Sequence, residues 1–153
     1  MKMGRYGFLG WLGAVLLLAG SAMAAPSESV RIGRELDAID WSRAKVIRFE
    51  LDEMTFHPDR VVFKAGQPYR LRIENAGEKR HNLMSPAFFA AILQHSLKGG
   101  GLLVQNPKDA KIDLLSGQVA EFHFLAKTKG HYPIYCSVDD HRARGMEGEF
   151  IIE

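Results

Sequence analysis

The only cysteine of this 153-residue chain sits in a short loop with a histidine and a methionine, spaced Cys136-x4-His141-x4-Met146. Strand-like residues flank that loop, Tyr132 to Cys136 before it and Gly148 to Ile152 after it. The odd offset of five, from Cys136 to His141 and again from His141 to Met146, does not align His141 with either neighbour on one strand face, where partners differ by even numbers. On a loop joining two adjacent strands, the same offsets let three side chains curl around one point. A thiolate, an imidazole and a thioether are donors for a soft or borderline transition metal. His81, in Arg80-His81-Asn82-Leu83, is the candidate for a second imidazole.

A chain with one cysteine forms no internal disulfide, so the thiol needs another role. The compartment expected from the N-terminus sharpens the point. Lys2 and Arg5 precede an apolar run from Phe8 to Leu18, and Ser21-Ala22-Met23-Ala24 offers the small residues of a cleavage site. The apolar run is shorter than a spanning helix requires. Residues 1–24 are therefore expected to be a signal peptide, cleaved on export to the periplasm, with no stable membrane insertion afterwards. An unprotected thiol is a liability in an oxidising compartment, and ligation to a metal removes it. Cleavage removes Lys2 and Arg5 and no acid, leaving 18 basic against 18 acidic residues. Such a balance gives no footprint for nucleic-acid binding.

Residues 25–44 form a polar lead-in, with Val30, Leu36 and Ile39 spaced for a short helix and Trp41 as an anchor. From Lys45 the period shortens. Val46, Phe49 and Leu51 begin it, Tyr69, Leu71 and Ile73 alternate with charged residues, and Phe122 and Phe124 alternate with Glu121 and His123. His123 is thereby expected on a solvent face. Asn75-Ala76-Gly77 and Ala65-Gly66-Gln67-Pro68 read as turns. Between Pro86 and Leu97 the apolar residues recur at helical spacing, which predicts a helical insertion ended by Gly99-Gly100-Gly101. The pattern predicts an all-β fold: a Greek-key, antiparallel β-sandwich of about seven to eight strands over residues 45–153, with a short helical insertion.

The spacing of Cys136, His141 and Met146, the upstream His81, the Gly145-Met146-Glu147-Gly148 ending and Phe63-Lys64-Ala65-Gly66 together resemble the cupredoxin family. Plastocyanin, azurin and rusticyanin have this fold. The resemblance covers roughly Lys45 to Glu153. It implies one mononuclear copper ion held by His81, Cys136 and His141, with Met146 as the long axial ligand. It also implies that Asn82 and Ser137 tie the two ligand segments together. Relatives often carry glycine just before the second histidine, where this chain has Asp139-Asp140. The implied function is single-electron shuttling between redox partner proteins by a monomer, not an enzyme. The alternative on the same scaffold is a periplasmic copper carrier or copper-tolerance protein, which Met54 and Met84 bring into view.

Competing readings of the same residues are weaker. A structural zinc site takes four strong donors and has no use for a thioether. A nucleophilic Cys136 with His141 as base lacks a recognisable orienting group. His57, His95, His123 and His131 read as surface or packing residues. Phe88 and Phe89 either cover the metal pole or pack on the sheet. Arg142 and Arg144, flanking His141, suggest a mildly basic contact surface.

Overall fold

A computed structural model describes residues 25–106 and 108–153; the expected signal peptide lies outside them. Strand β1 (Lys45–Asp52) buries Phe49 and Leu51 and turns Arg48 and Glu50 to solvent, the period of two expected of a sheet with one buried face. After β2 (Thr55–His57) and β3 (Arg60–Phe63), strand β4 (Pro68–Asn75) repeats the pattern with Tyr69, Leu71 and Ile73 inside. Then come β5 (His81–Met84), helix α2 (Pro86–Ala90), β6 (Ile92–Gly99), β7 (Leu102–Val104), β8 (Lys111–Leu114), β9 (Val119–Ala126), β10 (Gly130–Tyr135) and β11 (Glu147–Ile152).

These strands form two sheets, ordered β2-β1-β4-β9-β6 and β3-β11-β10-β5-β8-β7. The sandwich is all-β, as expected, with eleven strands among the described residues rather than seven or eight. The surplus comes from three- and four-residue edge strands such as β2 and β7, too short to show alternation in sequence. Two pairings are parallel, β1 with β4 and β3 with β11, which corrects the expectation of a wholly antiparallel sandwich. A parallel pair needs a long crossover, and the chain supplies one between β1 and β4 by passing through β2 and β3. Between the sheets, Phe63, Phe88, Phe124 and Phe150 meet with ring centroids 4.9–5.6 Å apart, mostly edge to face.

The helical insertion is shorter than its spacing predicts. Pro86 opens α2, Phe88 and Phe89 are buried from it, and the helix ends at Ala90. Residues from Ile92 onward instead pair with β9, from Ile92↔Ala126 to Gly99↔Ala120, and the register shifts between Gln94 and Ser96. That irregularity changes the phase of alternation, so a bulged strand carried a helix-like spacing. Both phenylalanines belong to the core and do not line a rim.

Residues Glu28–Asp37 form helix α1, followed by a 3-10 turn at Trp41–Arg43. This segment lies against the outer face of β6 and β9. The Trp41 indole donates to the Leu36 carbonyl at 3.1 Å and stacks on His95 and His123 at 4.5 and 5.5 Å. His123 is consequently only 2 % exposed, correcting its expected place on a solvent face. Its Nε2 lies 2.6 Å from Glu121 Oε1. Among the described residues, no helix is long and apolar enough to cross a membrane.

Candidate metal centre

His81 opens β5, paired with Leu114 of β8, and Cys136 follows the last residue of β10. The loop from Cys136 to Met146 is folded on itself by main-chain bonds. Met146 N–H donates to the His141 carbonyl at 3.0 Å, Cys136 N–H to the Met146 carbonyl at 3.0 Å, and His141 N–H to the Val138 carbonyl at 3.0 Å. Two residues take the left-handed backbone these turns require, Gly145 at φ +101° and Asp139 at φ +42°. Aspartate enters that region more readily than most side chains, which lets Asp139 take the turn without glycine.

The loop brings His141 Nδ1 to 3.5 Å from Cys136 Sγ, and His81 Nδ1 lies 4.0 Å from the same sulfur. One donor atom from each of the three residues lies within 4.8 Å of the other two, and all three side chains are buried. Metal–sulfur and metal–nitrogen bonds of about 2.0–2.3 Å, at angles of about 110–120°, separate donors by roughly 3.5–3.8 Å. The cluster therefore fits one first-row transition-metal ion with little rearrangement, and its donor set suits copper. Met146 is fully buried in the same core cluster as Cys136 and bonded through its main chain to both Cys136 and His141. Met84, three residues beyond His81 on β5, falls on the opposite face of that strand.

The electrostatics of the cluster suit metal ligation. Burial pushes the Cys136 thiol above its ordinary value, although the backbone N–H groups of Asn82 and Val138 point at the sulfur and oppose the shift. The Asn82 N–H lies 3.5 Å from it. Burial likewise pushes the His81 imidazole down, helped by His141 and opposed by Glu53. The two imidazoles and a thiol with N–H donors aimed at it form a donor set that a metal turns into ligands, displacing the thiol proton.

The two ligand segments are joined as the resemblance implies. The Asn82 side-chain oxygen accepts the Ser137 backbone N–H at 2.8 Å, and its amide nitrogen donates to the Ser137 hydroxyl at 3.1 Å. Beside His81, Arg80 grips Asp113 through two nitrogens, which raises the guanidinium's proton affinity further and pins the start of β5 to β8. Arg142 and Arg144 are exposed, but each has an acid beside it, Glu147 at 3.5 Å and Asp140 at 3.8 Å. Their basic character is thereby partly offset. Arg142 also lies over the Tyr135 ring, 4.1 Å from its centroid.

The other histidines stay away from the cluster. His57 sits beside Thr55, His131 beside Glu149, and His95 and His123 in the Trp41 stack. One neighbour escaped the sequence reading. Glu53, in the turn between β1 and β2, brings its Oε1 to 3.6 Å from His81 Nε2. Nothing in Asp52-Glu53-Met54 marks it, because its approach depends on how β1 lies beside the turn that follows β4.

No family model matches the chain, and no curated protein sequence does. Solved structures do resemble it. A dithionite-reduced auracyanin from Roseiflexus castenholzii superposes with a TM-score of 0.55 at 17 % identity, covering 72 % of this chain and 98 % of that one. Auracyanin B gives 0.52 at 18 % identity, covering 72 % and 89 %. A multi-copper oxidase from Pediococcus acidilactici gives 0.53 at 13 % identity, but the match spans only 26 % of the oxidase. At such identities the likeness establishes the fold.

Proposed function

We propose that this chain, which has the cupredoxin fold, is an exported copper protein that passes single electrons through a type 1 site built from His81, Cys136, His141 and Met146. The observation that carries this reading is the convergence of both Nδ1 atoms on the Cys136 sulfur, at 3.5 and 4.0 Å, inside a buried cluster. Bound copper supplies one-electron exchange between Cu(II) and Cu(I).

The protein's own residues do the rest. His81 and His141 would supply imidazole nitrogens, Cys136 a sulfur that faces two backbone N–H donors, and Met146 a weaker thioether. Asn82 and Ser137 hold the two ligand segments at a fixed separation, so a change of oxidation state moves few atoms. The packed phenylalanine core beneath the site and the burial of all three clustered side chains exclude water. Electrons then enter and leave by the 136–146 loop, where redox partner proteins of the periplasm would dock. Burial of every clustered donor favours retention of the ion over its delivery to another protein.

The visible absorption and EPR spectra of the copper-loaded protein test this reading. An intense thiolate-to-copper charge-transfer band with the EPR signature of a type 1 centre is expected. A colourless Cu(II) form would sink it. Fast electron self-exchange with slow release of Cu(I) to an acceptor distinguishes shuttle from carrier.

A further inference from the structure

His81 Nε2 is fully enclosed and has no hydrogen-bond partner, while its Nδ1 faces the Cys136 sulfur. The only acid beside that nitrogen among the described ion pairs is Glu53, whose Oε1 lies 3.6 Å away. The carboxylate is not there by chance rotation. The same oxygen accepts the backbone N–H groups of Glu78 and Lys79 at 2.7 and 3.2 Å, which anchors the β1–β2 turn to the turn before β5. Burial works against ionisation of Glu53, but these two N–H groups and His81 hold its carboxyl below the usual carboxylate range. Gly77 keeps the gap open. A Cβ at that position would stand 2.8 Å from both Glu53 Oε1 and His81 Nε2. The gap exceeds a true hydrogen bond by roughly half an ångström.

We infer that Glu53 is a positioning residue for the metal centre: its carboxylate takes the Nε2 proton of His81 as a hydrogen bond, keeps Nδ1 free for the metal, and favours the more highly charged Cu(II). This rests on the type 1 reading of the cluster and adds a residue from a third part of the chain. The physical basis is general. A metal-bound imidazole whose other nitrogen donates to a carboxylate is fixed in tautomer and orientation and becomes a better donor. A nearby negative charge also stabilises the oxidised ion more than the reduced one.

The test uses the full chain, metal-free and copper-loaded. In the metal-free protein, long-range hydrogen–nitrogen NMR is expected to find the His81 proton on Nε2, and Glu53→Ala to let the two tautomers mix. With copper bound, Glu53→Gln keeps an acceptor for the Glu78 and Lys79 amides and so preserves the turn. It is expected to weaken Cu(II) binding about tenfold or more relative to Cu(I). A tenfold change corresponds to a reduction potential raised by about 59 mV. A wild-type His81 proton on Nδ1, a tautomer unmoved by Glu53→Ala, or a potential unchanged in Glu53→Gln would each overturn the inference. If Glu53→Ala does not fold, the Gln variant decides it through the potential. If no form of the chain takes up copper, the type 1 reading fails, while the tautomer still decides the role of Glu53.

Discussion

The Asn82 side chain accepts the Ser137 backbone N–H at 2.8 Å across 55 residues of sequence, and it is almost wholly buried. Together with the β5–β10 pairing at Met84↔Tyr135 and the Ser85 hydroxyl's bond to the Pro133 carbonyl, this bond ties the His81 strand to the Cys136 loop at the metal pole. Asn82→Ala leaves a partly buried N–H without a partner, which costs about 1–3 kcal/mol. It also frees the two ligand segments to drift apart, and loss of such supporting contacts weakens metal binding by about 10–100-fold. Thermal denaturation of the metal-free variant and competition titration of copper check both. A variant with wild-type copper affinity would show that the ligands hold themselves in place.

Cys136 and Met146 are expected to respond differently. Cys136→Ser removes the sulfur on which both imidazoles converge, and the visible charge-transfer band should vanish with it. Met146→Leu removes only a weak thioether from a packed position, so copper stays bound while the potential rises. Leucine nearly matches methionine in volume, and the stability loss should stay below about 1.5 kcal/mol. A potential unmoved by Met146→Leu, measured by spectroelectrochemistry, would remove Met146 from the ligand set.

The ligand loop was legible because its two steps of five residues suit a loop rather than one strand face, and because a lone thiol calls for a partner. The Asn82–Ser137 tie was legible only through the resemblance, which implies a bond between the residues that follow the first histidine and the cysteine. His123 was not, because alternation shows which side of a sheet a residue faces but not whether something covers that side; Trp41 does, from outside the sheet. The length of α2 was obscured by the register shift near His95, which gives a strand the apolar spacing of a helix. Glu53 was beyond reach for a third reason. Its relation to His81 arises where two turns meet, and neither turn carries a pattern that points at the other.

The metal-free protein should be most stable in a window between the ordinary imidazole and thiol ranges. His81 is pushed down in the fold, so below about pH 6.5 the unfolded chain binds the proton more readily and stability falls with pH. Cys136 is pushed up, so above about pH 8.5 the unfolded chain loses its proton first and stability falls as pH rises. Each group contributes a slope of at most about 1.4 kcal/mol per pH unit. Melting temperatures across this range check the shape, and Cys136→Ser should flatten the alkaline limb alone. A melting temperature that climbs above pH 8.5 would contradict the burial of the thiol.

Trp41 provides a change that touches the fold and spares the metal. Its ring stacks on His95 at 4.5 Å and on His123 at 5.5 Å, and its indole N–H is tied to the Leu36 carbonyl. None of these groups belongs to the donor cluster. Trp41→Ala removes two aromatic contacts worth about 0.5–1.5 kcal/mol each and one hydrogen bond worth about 1 kcal/mol. It also lets water reach His123, whose buried Nδ1 has no partner, and that partly offsets the loss. A net destabilisation of about 2 kcal/mol is expected in chemical denaturation of the metal-free protein, with the visible spectrum of the copper form unchanged. A loss below about 0.5 kcal/mol, the scale of an ordinary surface substitution, would mean that the segment before β1 rests on the sheet without holding it.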